Sequence, residues 1–415
     1  MSNRKTSQTL TLALALLAAC ALFMATFATT PAGAQTEAVL HNFSGQPDGQ
    51  FSYAPLIWDS LGNLYGTTAG GGEHGSGTAF KLTPNGSGGW NETVLYSFTS
   101  ASDGAEEPYG GLTFDSAGNL YGTTYYGGKN GIGTVFELRS NKGTWSERVL
   151  HSFDENGKDG FYPQSGVVLD SAGNIYGMTP EGGSANGGIV YELVLGSTGA
   201  YTERIVHSFA NPDNQVANSS QPLTFDSAGN LYGVAMFGGK NDDGLAFELT
   251  PQTGGTWTYK VLWSFGGVSG TYPKSNLLFD SAGNIYGTTN SGDNGFGTLY
   301  ELSPTTKGSW TEKTLIAFDT FGYAEYPQGN IAFDGAGNIY GSSFNGGPSN
   351  LGAVWEASPN GSGSWVETVV HDFGGGIGDG SYPVGGVVLD SSGNVYGTTT
   401  TSGSQGLGVV WEVTP

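Results

Sequence analysis

One motif recurs along nearly the whole chain and constrains the fold more than any other feature. The string Asp-(Ser/Gly)-x-Gly-Asn-x-Tyr-Gly begins at Asp59, Asp115, Asp170, Asp226, Asp280, Asp334 and Asp390, at spacings of 56, 55, 56, 54, 54 and 56 residues. No linker separates the copies. Self-similarity at this period implies one repeat array in which neighbouring units complete each other's core. A division of the 415 residues into independent domains is therefore not expected.

Each unit reads as four short strands, here called A to D. In the second copy, strand A is Leu112-Thr113-Phe114 and strand B is Leu120 to Thr124. Strand C runs from Thr134 to Leu138, and strand D from Trp145 to Phe153, after a hairpin at Asn141-Lys142-Gly143. β-branched and aromatic residues fill the strands, while Gly, Asn, Ser and Asp fill the gaps. No segment carries sustained helical periodicity. Four antiparallel strands per unit of about 55 residues predict an all-β seven-bladed β-propeller rather than a β-helix.

The chain ends sharpen this expectation. Strand D closes on a Phe at Phe98, Phe153, Phe209, Phe265, Phe318 and Phe373, yet the seventh copy stops after strand C at Trp411-Glu412-Val413-Thr414-Pro415. Its missing strand matches Ala38-Val39-Leu40-His41-Asn42-Phe43, which resembles Arg148 to Phe153. The N-terminal strand is thus expected to complete the last blade, which removes both exposed sheet edges.

Residues 1–34 read as a signal peptide: basic Arg4 and Lys5, an apolar run from Leu10 to about Phe27, and the small-residue site Ala32-Gly33-Ala34. Cleavage would leave residues 35–415 as a single propeller domain, and would take the formal charge from −22 to −24. Two anchored alternatives stay open. Leu17-Ala18-Ala19-Cys20 resembles a lipobox that would lipidate Cys20, and the apolar run is long enough for an uncleaved anchor. All three readings place the repeats in the periplasm or outside the cell. Cys20 is the only cysteine, so the mature repeats have no disulfide. With 36 acidic against 14 basic residues, electrostatic binding to nucleic acid or anionic lipid is excluded as an expectation.

The repeat resembles the GloVer-type tandem repeats of exported bacterial proteins, on Asp-Ser-Ala-Gly-Asn-Leu-Tyr-Gly-Thr-Thr, Phe-Glu-Leu and Val-Leu-His-Ser-Phe, across Thr36 to Pro415. Strands A and B are also similar to NHL-type propeller repeats. The resemblance implies export and a propeller-like fold and carries no established activity. Such proteins often have a C-terminal sorting segment; this sequence ends within its last repeat, so any anchor is expected at the N-terminus.

Most chemistry-bearing residues are explained by the repeat. The seven motif aspartates suit a turn in which the carboxylate accepts backbone N–H groups and the following Gly takes positive φ. A Ca²⁺ role is weighed against them, because alternating acidic ligands are missing. No cofactor and no metal site is expected. Strand C glutamates (Glu137, Glu192, Glu248, Glu301, Glu356, Glu412) read as structural or solvated. His41, His151, His207 and His371 share one position with Tyr96, Trp263 and Ile316, which reads as a packing site. The Gly-rich B–C connections lack a phosphate-loop ending and read as flexible turns.

Function is expected on the face that carries the D–A and B–C connections, since variable loops on a rigid scaffold are where binding resides. Phe51, Tyr162, Tyr272, Tyr326 and Tyr382 occupy one position there, four of them as Tyr-Pro; Glu107 and Asn218 stand at the same place in the second and fourth copies. Either they fix entry into strand A and pack between blades, or they form an aromatic rim for ligand. A unique active site needs residues that break the symmetry; for an enzyme, a glycoside hydrolase or polysaccharide lyase, the candidates are Glu73, His74, Glu107, Asp242 and Asp243. The leading expectation is a monomeric, non-enzymatic propeller binding a glycan, peptide or protein. A structural or adhesion module is the other alternative.

Overall fold

The computed structural model describes residues 36–100, 104–210, 215–216, 221–293, 295–319, 324–375 and 378–415. The expected signal peptide, with Cys20, lies outside the described residues. Seven antiparallel four-strand units form a ring, the predicted seven-bladed β-propeller. In the second blade the strands are Thr113–Phe114, Leu120–Thr124, Thr134–Asn141 and Thr144–Ser152, hydrogen-bonded in the order A-B-C-D. Strand B coincides with its expected bounds, and Lys142 and Gly143 turn the hairpin with φ of 52° and 88°. Among the described residues the one helical segment is a single 3₁₀ turn, Gly267–Ser269.

The ring closes as expected. Thr36–Asn42 lies antiparallel to Val409–Thr414, so the first described strand becomes strand D of the last blade. Phe43 follows it into the core with no exposed surface. Since each sheet buries both faces against its neighbours, the apolar core is divided among the junctions. Seven clusters of buried residues occur among the described residues, each spanning two consecutive blades. One joins Phe43, Tyr396 and Val410 of the last blade to Leu56, Leu64 and Phe80 of the first.

The repeated motif is built from local hydrogen bonds. In the second copy Asp115 Oδ1 accepts the N–H groups of Ala117 and Asn119, while Oδ2 accepts the Asn119 amide and the Tyr121 hydroxyl. Gly118 supplies the positive φ of 85°. The motif's last residue has a different cause. A Cβ on Gly122 would stand 2.7 Å from the Phe136 ring, and the equivalent glycines face Phe80, Tyr191, Phe247, Tyr300, Trp355 and Trp411 just as closely. Each Gly on strand B makes room for one large buried aromatic on strand C. The strand C glutamates are structural, as read: Glu137 is buried and accepts the Tyr121 hydroxyl and the Arg139 guanidinium.

One expectation about the loops is corrected. The B–C connections are zipped to the D–A connections of their own blades, as in Ala105–Glu106 with Tyr126–Gly127, and Gly160–Phe161 with Glu181–Gly182. Glycine there allows two backbones to meet: at Gly127 a Cβ would lie 2.2 Å from the Gly104 carbonyl. Where it is described, the loop-rich face is thereby held by backbone pairing between its connections.

Candidate functional site

The expected rim residues share an unusual backbone. Phe51, Glu107, Tyr162, Tyr272, Tyr326 and Tyr382 all have φ between 55° and 60°, a region that costs a non-glycine residue on the order of 1–3 kcal/mol. Each N–H donates to a carbonyl in the B–C loop of the preceding blade, as in Tyr162 to Ile132 (2.8 Å) and Tyr382 to Leu351 (2.7 Å). Except after Phe51, the following proline packs where a Cβ on the glycine just before the preceding blade's strand C would sit, for example Pro163 against Gly133. The segment therefore locks consecutive blades, the packing role weighed in the sequence. Asn218 lies outside the described residues. The side chains remain half-buried, and the four tyrosines meet other rings: Tyr162 stacks on Tyr125 (5.0 Å, 19°) and Tyr382 on Phe344 (4.9 Å, 27°). Tyr272 and Tyr326 stand against Phe237 and Phe296.

Two residues further along, the chain enters the central channel, and here the sevenfold symmetry breaks. A cavity of about 400 Å³ is lined by Tyr53, Tyr109, Gln164, Lys274, Gln328 and Asn330 above an apolar floor that includes Ile57 and Val168. Tyr53 and Tyr109 stack at 4.9 Å and 17°; Tyr109 meets Tyr125 at 5.3 Å, which leads on to Tyr162. A continuous row of phenols thus runs from the channel to the mouth over the first three blades. Burial, Tyr53 and Glu107 push the Tyr109 phenol up to about 12, so it stays a hydrogen-bond donor at neutral pH. Burial lowers the Lys274 ammonium below the usual lysine value. Among the described residues no carboxylate lines the cavity, and Lys274 Nζ has no ion pair or hydrogen bond.

Sequence reasoning missed Tyr53, Tyr109 and Lys274. The signal was present: the position two residues after the Tyr of Tyr-Pro is Tyr, Tyr, Gln, Ser, Lys, Gln and Val in successive copies. Of the acid–base candidates, Glu73 and His74 line an outer groove with Asp48, Glu92 and Tyr96. Glu107 stands near Tyr53 and Tyr109, its carboxyl raised by burial and by Glu106. Asp242 accepts the Gly238 N–H within its own loop, and the Asp243 carbonyl accepts the Tyr272 N–H. No hydrogen bond among the described residues joins any two of the five.

The histidine position corrects its packing assignment. His41 and His151 do meet Phe43 and Phe153 edge-on. Their Nε2 atoms, however, lie 3.0 Å from Asp48 and Asp159, and His371 Nε2 lies 3.5 Å from Asp379. Each pair is joined by a glutamate from strand D of the next blade: Glu92, Glu203 and Glu37 respectively. Burial pushes Glu37 and Glu92 up to about 7, and burial with Asp159 raises Glu203 further. At the next junction after His207 the glutamate position holds Tyr259, whose ring stacks on the imidazole at 4.0 Å.

The model of the Gloeobacter/Verrucomicrobia repeat matches residues 25–191 and 165–411, which agrees with the repeat read from the sequence. No curated protein matches the chain. Several solved structures are similar at low identity. An ulvan lyase of a polysaccharide lyase family shares 12% identity at a TM-score of 0.48, covering 80% of this chain and 86% of that one. A luciferin-regenerating enzyme shares 12% at 0.43, covering 92% and 95%. A protein of unknown function from Dyadobacter fermentans shares 10% at 0.44, covering 92% and 98%. No helix among the described residues is long and apolar enough to cross a membrane.

Proposed function

We propose that this chain, which belongs to the Gloeobacter/Verrucomicrobia repeat family, is a non-enzymatic extracytoplasmic propeller that binds a carboxylate-bearing glycan at the mouth of its central channel. One observation carries the reading: Lys274, a half-buried ammonium with no counter-charge among the described residues, shares a cavity with the stacked Tyr53–Tyr109 pair and the amides of Gln164, Gln328 and Asn330. Sugars combine apolar C–H surfaces, suited to phenol rings, with hydroxyls suited to amides. The Lys274 ammonium favours a ligand that places a single anionic group beside it, and this local attraction acts against the long-range repulsion of a formal charge of −22. The acid–base carboxylate pair of glycoside hydrolysis is not assembled among the described residues of the cavity lining, which supports binding over hydrolysis.

The test is calorimetry with matched neutral and uronic-acid oligosaccharides. The acidic series should bind, and Lys274→Met or Tyr109→Ala should weaken it by about tenfold or more while the melting temperature holds. Equal affinity for both series, no glycan binding, or depolymerisation of the ligand would each reject the proposal.

A further inference from the structure

The cluster repeated at three blade junctions has the donors of a metal site. We infer that His41–Asp48–Glu92, His151–Asp159–Glu203 and His371–Asp379–Glu37 each bind a divalent transition-metal cation, with Zn²⁺ the best match. Two of the three use residues of the ring-closing strand.

In every cluster one imidazole nitrogen and two carboxylate oxygens lie within 4.8 Å of one another. In the second, His151 Nε2 is 3.0 Å from Asp159 and 3.7 Å from Glu203. Bonds of 2.0–2.2 Å in a tetrahedron set ligand atoms about 3.3–3.6 Å apart, so small side-chain shifts suffice. The aspartates are already oriented: Gly49, Gly160 and Gly380 each donate an N–H to the adjacent Asp48, Asp159 and Asp379, at 2.6, 2.6 and 2.7 Å. Such outer hydrogen bonds hold ligands ready for a metal.

A second observation points independently to a missing partner. The Oε1 atoms of Glu37, Glu92 and Glu203 are shielded from solvent and have no hydrogen bond. The same atom lacks a hydrogen bond at all three sites, that of Glu203 having only its 3.7 Å ion-pair contact with His151, and buried acceptors are rarely left so. A cation would satisfy it and neutralise two carboxylates packed beside one imidazole. One nitrogen and two oxygens suit Zn²⁺, whereas Ca²⁺ takes six to eight oxygens. The other junctions depart from the set, with Tyr96, Trp263 or Ile316 at the histidine position and Tyr259 at one glutamate position.

The placement implies a consequence for the fold. Glu37 and His41 lie on one strand, Thr36–Asn42, and reach the blades on its two sides. Metal would pin the closing strand to both neighbours in a chain whose mature part lacks disulfides.

The test uses the full mature protein, stripped with chelator and titrated with Zn²⁺ by calorimetry, with Co²⁺ absorption as a second readout. Three equivalents should bind, a tetrahedral Co²⁺ spectrum should appear, and the melting temperature should rise by several degrees, with little response to Ca²⁺ or Mg²⁺. Glu203→Gln should reduce the stoichiometry from three to two; His151→Gln serves the same purpose if that variant does not fold. Absence of uptake at micromolar Zn²⁺, or a stoichiometry unchanged by both variants, would overturn the inference. A melting temperature that responds to pH and not to metal would overturn it as well, by showing that the orphaned oxygens are satisfied by protons alone.

Discussion

Val39 lies opposite Trp411 in antiparallel register, which joins the two ends of the described chain within one sheet. Trp411 is fully buried, and the next sheet order places Val395–Thr398 on its other side. The closing strand is therefore part of a core, and its loss would open an apolar junction as well as a sheet edge.

Truncation of residues 36–43 should abolish cooperative thermal unfolding. The milder Phe43→Ala, at a side chain with no exposed surface, should cost about 3–5 kcal/mol. Urea unfolding followed by tryptophan fluorescence measures both.

Gly122→Ala should destabilise by about 1–3 kcal/mol through overpacking against Phe136. The paired change Gly122→Ala with Phe136→Leu should recover part of that loss. A double-mutant cycle in urea reads the coupling.

Asp115→Ala should cost about 0.5–1.5 kcal/mol, because it removes the acceptor of the part-buried Asn119 N–H, while the exposed Ala117 N–H turns to water. Burial raises this carboxyl, yet hydrogen bonds from Asn119, Ala117 and Tyr121 outweigh it and hold the value below the usual range. Its stabilisation is complete above the unfolded value, about 3.9, and is lost as pH falls through the lower folded value. The variant should accordingly show a shallower acid limb in stability against pH.

Glu367 should act in the opposite sense. Burial, with Asp319 nearby, pushes it up to about 7 despite the N–H of Ala324. The folded chain keeps a proton that the unfolded chain releases near about 4.3. Its contribution is full below that value and disappears as pH rises through about 7. Glu367→Gln should flatten the decline in urea midpoint between about pH 4 and about pH 7.

Glu73→Gln and Asp243→Asn lie away from the channel lining and should leave glycan affinity unchanged within error. Lys274→Met should not. Parallel calorimetry on the three variants compares the outer groove and loop acids directly with the channel.

The repeat, the four-strand unit and the seam were legible in the sequence because each depends on neighbours in the chain. Asp115, Gly118, Asn119 and Tyr121 complete one another within a single turn, so their spacing announces their role. The orphan strand at Ala38–Phe43 was legible because the last copy lacked its counterpart. The clusters and the channel were not legible in this way. His151 and Glu203 stand on strand D of different blades, and nothing in either repeat shows which residues face each other across the junction. Tyr53, Tyr109 and Lys274 likewise converge only where the inner ends of separate blades surround one axis. Local hydrogen bonding and hydrophobic alternation made the blade readable from sequence; the distances between blades, set by how seven sheets pack around a ring, decided which side chains share a site.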